Sequence, residues 1–145
     1  MKITKEQAKQ ALKPLIEDDL FVIQGVTIFY DTVVFGNSYI LLRAQNGTGG
    51  MTVEFTDDRG DTTCNVGVQF RGRWYKLWLE DVCKYLNLSL PEKPSNFLDM
   101  VKVYSIAIRE NKDKLFEAFD DNHREETYLS IQKILWGKDL PRNLI

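Results

Sequence analysis

Between Leu20 and Trp78 the chain is dense in β-branched and aromatic residues and is broken four times by turn chemistry, at Gly36-Asn37, Asn46-Gly47-Thr48-Gly49-Gly50, Asp57 to Asp61, and Arg71-Gly72-Arg73. Gly, Asn and Asp supply the turn conformations that let a strand double back on itself, so the block reads as successive hairpins. Met51, Val53 and Phe55 alternate with Thr52, Glu54 and Thr56, and Cys64, Val66, Val68 and Phe70 alternate with Asn65, Gly67 and Gln69. That period predicts a sheet with one buried and one wet face. Val26 to Phe35 and Tyr39 to Ala44 are apolar on both faces in places, which predicts central strands covered by helices.

On either side of this block the period is helical. Thr4 followed by Gln7 has the form of a capping box, and Ala8, Ala11, Leu12, Leu15 and Ile16 follow at helical spacing. Pro14 predicts a kink or restart, with the helix ending by Glu17-Asp18-Asp19. After Trp78, Val82 and Leu86 share a side of a short helix that ends before Pro91. Asn96 caps a second with the inner stripe Leu98, Val101, Tyr104 and Ile108, with the small Ser105 on the same side. Asn111 is placed to cap a third, carrying Leu115, Phe116 and Phe119, and a fourth runs from about His123 to Trp136 and stops at Gly137. Strands first and helices after predict one α+β domain over 1–145, a mostly antiparallel sheet with an N-terminal helix and a C-terminal group of helices. Its expected core includes Val53, Phe55, Val66, Val68, Phe70, Val101, Leu115, Phe116 and Ile131.

The missing chemistry is as informative. A single histidine, His123, excludes sites that need two or more His ligands, and Cys64 and Cys83 are too far apart in sequence for a Cys-x-x-Cys zinc motif. Both cysteines are expected as free, buried thiols. A Ser-His-Asp or Cys-His site would have to recruit that same His123, which stands among Asp121, Asn122, Arg124 and Glu125 at a helix start. Gly47-Thr48-Gly49-Gly50 lacks the closing glycine of a dinucleotide fingerprint, and Gly137-Lys138 lacks the rest of a P-loop. The run from Asp57 to Asp61 places Arg59 and Gly60 where a calcium loop needs oxygen ligands, so it reads as a turn. The expectation is no catalytic residue, no metal and no cofactor. A formal charge of −2 is too balanced for a polybasic protein, no apolar run is long enough for a membrane span, and the first residues lack an apolar leader. A soluble, cytoplasmic chain without a membrane partner is expected, in which Asn46-Gly47-Thr48 and Asn87-Leu88-Ser89 are chance matches to a glycosylation sequon.

Two binding chemistries stay open. Arg71-Gly72-Arg73-Trp74-Tyr75-Lys76-Leu77-Trp78 mixes cations with aromatics, as proteins that hold single-stranded nucleic acid do, and the following Asp81-Val82-Cys83-Lys84-Tyr85-Leu86-Asn87-Leu88 resembles the Bro N-terminal domain of viral antirepressor-like proteins. Against this, carboxylates gather on turns and helix ends, at Glu17-Asp18-Asp19, at Asp57, Asp58 and Asp61, and at Asp120, Asp121 and Glu125. The last two groups are the candidate partner-binding residues, since an acidic patch speeds and selects association with a basic protein. The short capped helix, the hairpin segment Phe55 to Leu77 and the helical tail Ile108 to Lys133 together resemble small immunity proteins of bacterial contact-dependent growth inhibition and other polymorphic toxin systems. That resemblance implies a non-enzymatic cytoplasmic protein whose partner is a cognate toxin domain, often a nuclease with a basic active-site surface.

Overall fold

A computed structural model describes residues 4–28, 37–45 and 49–136. The capping box forms as written: the Thr4 hydroxyl accepts from the Gln7 amide and the Gln7 side chain accepts from the Thr4 amide, starting α1 (Lys5–Ala11). Pro14 sits in the first turn of a restarted helix, α2 (Lys13–Ile16), where its missing amide costs nothing. A short 3-10 turn, Glu17–Asp19, then leads into the sheet.

The sheet is an antiparallel meander of β1 (Phe21–Thr27), β2 (Asn37–Ala44), β3 (Met51–Asp58), β4 (Asp61–Phe70) and β5 (Arg73–Trp78), with spatial order equal to chain order. Two of its connections are two-residue turns, Arg59-Gly60 and Arg71-Gly72. All four residues have positive φ, as the right-handed twist of a tight hairpin demands. This order corrects one expectation. The strand at the centre is β3; β1 lies at an edge with Val22 exposed, and β2 is next to it. The predicted strand residues 29–35, Gly36 of the first turn, Asn46 to Thr48 of the second, and Gly137 lie outside the described residues.

Helices α3 (Leu79–Leu86), α4 (Phe97–Glu110), α5 (Lys112–Ala118) and α6 (Arg124–Trp136) complete the chain. The core joins one sheet face, with Ile40, Leu42, Val53, Phe55, Val66 and Val68, to Leu12, Leu15, Met100, Val101, Leu115 and Ile131 of the helices. Asn96 caps α4 through Asp99, as its spacing predicts. Asn111 stands at the α4–α5 junction and closes the end of α4 but gives α5 no side-chain cap; its side-chain amide donates back to the Ala107 carbonyl at 2.8 Å. Phe70 and Phe116 are only half-buried, Phe116 lying against Phe21 with ring centroids 5.6 Å apart, whereas Phe119 is fully enclosed.

The opposite sheet face is less wet than alternation predicts. Thr52 and Glu54 are buried, because β3 has neighbours on both sides and their long side chains close over it. Lys76 Nζ lies 3.0 Å from Glu54 Oε1, and burial together with the charge and hydrogen bond of Glu54 pushes the Tyr39 phenol up. Directly opposite Thr52 stands Gly67, where a Cβ would lie 2.2 Å from Thr52 Oγ1. Close packing of the two strands on this face therefore requires glycine there.

Candidate functional site

The candidate carboxylates separate into three kinds once folded. Asp57 faces the core side of β3, is 6% exposed, and its Oδ1 accepts from the Gly60 amide at 2.9 Å. It builds the hairpin turn and offers no surface charge. Asp58 and Asp61 are the first residues of β3 and β4 back from that turn, directly paired and exposed, and neither forms an ion pair among the described residues.

The helix-start cluster is engaged internally. Desolvation pushes the Asp120 carboxyl up, but hydrogen bonds from the His123 ring and from the Asn122 and His123 amides, with the charge of His123, outweigh it and hold Asp120 below the ordinary range. Asp121 pairs with Arg124 at 2.7 Å, and the same guanidinium donates through Nε to the Gln69 carbonyl at 2.6 Å, latching the start of α6 to the end of β4. Glu125 pairs with Arg71. These three acids hold α6 in place.

The His123–Asp120 pair also has the geometry of a base and its orienting carboxylate, with Nδ1 2.7 Å from Oδ1, beside a cleft lined by Lys114, Glu117, Glu126 and Thr127. The aliphatic hydroxyl in that cleft, on Thr127, is buried and donates to the Ala118 carbonyl at 2.7 Å, so it is not presented as a nucleophile. No group of three or more potential metal-ligating side chains occurs among the described residues.

The charges that face solvent together gather elsewhere. A cavity of about 720 Å³ opens between the β4–β5 side of the sheet, α3 and the connector after it, lined by Asp61, Glu80, Asp81 and Glu92 with Lys84 and Lys93 as the opposing cations. Lys93 is already committed, its Nζ donating to the Thr62 carbonyl at 2.7 Å. On the cavity wall the Tyr104 hydroxyl donates to Glu80 at 3.1 Å, and burial with the adjacent Glu80 charge pushes that phenol up. Asp81 is also pushed up, by burial first and by Glu80 second, with Lys84 opposing. Burial and Glu80 raise the Cys83 thiol to about 11, and Cys64 behind it, fully buried, lies well above its ordinary value. Both thiols are free. This is an electrostatic environment that disfavours anions, in which four carboxylates face two lysines, with Trp78, Leu88, Leu90 and Pro91 as its apolar walls.

Of the predicted partner-binding residues, the fold brings only Asp61 into this cavity, with Asp58 beside it in the strand pair. Glu80, Asp81 and Glu92 were not among the sequence candidates. Glu80 and Asp81 open a helix, where acids match the dipole, so their spacing alone gives no sign of the cavity they face.

The cationic stretch is only partly neutralised in the fold, since Arg73 is exposed and forms no ion pair among the described residues. Arg71 is paired with Glu125 and Lys76 with Glu54, while Trp74, on the helix-free face, has the Arg43 guanidinium 5.7 Å from its ring centre. Among the described residues no helix is long and apolar enough to cross a membrane. The chain matches no protein-family model, and comparisons with curated proteins and with solved structures return no match.

Proposed function

We propose that the chain is a non-enzymatic binding protein that takes a basic surface of a protein partner on the cavity of Asp61, Glu80, Asp81 and Glu92. Its role is that of a cytoplasmic immunity protein neutralising a cognate toxin domain, such as a nuclease with a cationic active site. One observation carries the reading: these carboxylates converge on one opening with a single uncommitted lysine, while Asp120, Asp121 and Glu125 are matched internally. A cation entering the cavity relieves the repulsion between Glu80 and Asp81, which gives binding a source of free energy that solvent does not supply. Nucleic acid fits less well, because Arg71 and Lys76 already have anionic partners and the backbone of a nucleic acid would be repelled here.

The test is rescue. The variable C-terminal domain of a large secreted protein encoded immediately upstream should kill a host when expressed alone and spare it when this chain is co-expressed. Asp61→Lys combined with Asp81→Lys should abolish protection and slow association, with a weaker dependence on salt, while Asp121→Asn should leave the association rate unchanged. Absence of such a neighbouring gene, or killing undiminished by the wild-type chain, would overturn the immunity reading.

A further inference from the structure

The acidic cavity does not end at α3. Asp81 also lines two adjoining clefts of about 340 and 380 Å³ formed with the C-terminal turns of α6. Their walls carry large apolar side chains turned outward: Trp78 is 61% exposed, Trp136 63% and Ile134 68%, with Leu135 and Tyr85 between them. A soluble domain rarely leaves so many large apolar groups together in water without a use for them. The floor of the Trp78–Trp136 cleft has an unmet polar need as well. Gln132 is 7% exposed there, and its Oε1 has no hydrogen-bond partner among the described residues.

Apolar walls, a carboxylate at the junction of three clefts and an acceptor awaiting a donor specify one kind of occupant. Resting on the binding reading above, we infer that the surface from Trp78 through Asp81 to Leu135 binds an amphipathic segment of the partner protein, with an arginine or lysine directed at Asp81 and Glu80 and apolar neighbours laid on Trp78, Leu135 and Trp136. Charge complementarity selects this occupant, because Asp81 and Glu80 stand together at the junction while Lys76 on the same wall is already held by Glu54, which leaves Lys84 as the one opposing cation. Aromatic side chains around a desolvated charge are also the composition of an energetic hot spot.

The three tryptophans, Trp74, Trp78 and Trp136, make the surface directly readable when the full chain carries fluorotryptophan and is followed by fluorine NMR. The probe is a short, end-blocked peptide alternating arginine with leucine, compared with versions carrying glutamate for arginine or serine for leucine. The arginine–leucine peptide should move the Trp78 and Trp136 signals together and leave Trp74 still, and neither control should move them. Asp81→Lys should weaken the titration by about tenfold or more. Leu135→Ser, on the exposed side of α6, gives a second variant with the same expectation should the first not fold.

Equal response to the glutamate peptide, movement of Trp74 in step with the others, or no movement would overturn the inference. So would signals that move on dilution, which assign the surface to a second copy, or contacts from residues 137–145 to Trp78, which assign it to the chain's own tail. The rescue assay is separate. Protection from the toxin with silent Trp78 and Trp136 signals removes this inference and keeps the binding reading, whereas peptide binding without protection keeps the surface and removes the toxin.

Discussion

Truncating Phe119 tests whether the helical half is packed on the sheet as described, and its neighbour Phe116 supplies the internal control. Phe119 is fully enclosed and lies just past the end of α5, with φ −116°, so its replacement by Ala gains no helix propensity. A buried phenylalanine replaced by alanine loses its transfer free energy and leaves a cavity, together costing about 3–5 kcal/mol. Phe116 is half-buried against Phe21 and sits inside α5, where alanine recovers about 0.5 kcal/mol of propensity. Roughly half the burial less that recovery gives a cost of about 1–2 kcal/mol. Urea unfolding of both variants with a common slope reads the difference from the midpoints. Phe119→Ala should be the more damaging by about 2 kcal/mol. A cost below about 1.5 kcal/mol for Phe119→Ala, or an equal or larger cost for Phe116→Ala, would refute the packing, because the enclosed ring would then have to be the other one.

Asp57→Ala should destabilise by about 1–2 kcal/mol, since it removes the buried acceptor of the Gly60 amide, while Asp58→Lys and Asp61→Lys should change stability by less than about 0.5 kcal/mol in the same urea assay. The folded Cys83 pKa of about 11 lies above the ordinary 9.0, so its contribution to stability is fully present below pH 9 and is lost as the pH rises through about 11. Alkaline unfolding should accordingly shift to higher pH in Cys83→Ser, and at neutral pH a thiol reagent should label Cys64 and Cys83 only as fast as the protein unfolds; rapid labelling of the native chain would contradict their burial. Chelator or added calcium should leave the melting temperature unchanged, and stabilisation by calcium would restore the run from Asp57 to Asp61 as a metal loop.

Local rules made much of the fold legible. The Thr4–Gln7 box, the Asn96 cap, the restart at Pro14 and the Arg59-Gly60 and Arg71-Gly72 turns each depend on a few adjacent residues, and each forms where the sequence places it. Period-two alternation likewise names the inner face of β3 and β4 without knowledge of their neighbours. Positions whose environment depends on what lies across space were not legible in this way. Glu54 reads as a solvent-facing position yet is buried, because only the meander order makes β3 central. Asp57 and Asp58 are adjacent acids in sequence, but the pleat turns one toward the core and the other to water. Ile134 and Leu135 follow the same helical stripe as Ile131, yet α6 runs past the supporting core and leaves them exposed beside Trp78. The candidate site has the same character. Residue types and helix-start chemistry are written along the chain, whereas the meeting of Asp61 with Glu80, Asp81 and Glu92 requires the sheet, α3 and its connector to be folded against one another, and electrostatic repulsion depends on that distance rather than on separation in sequence.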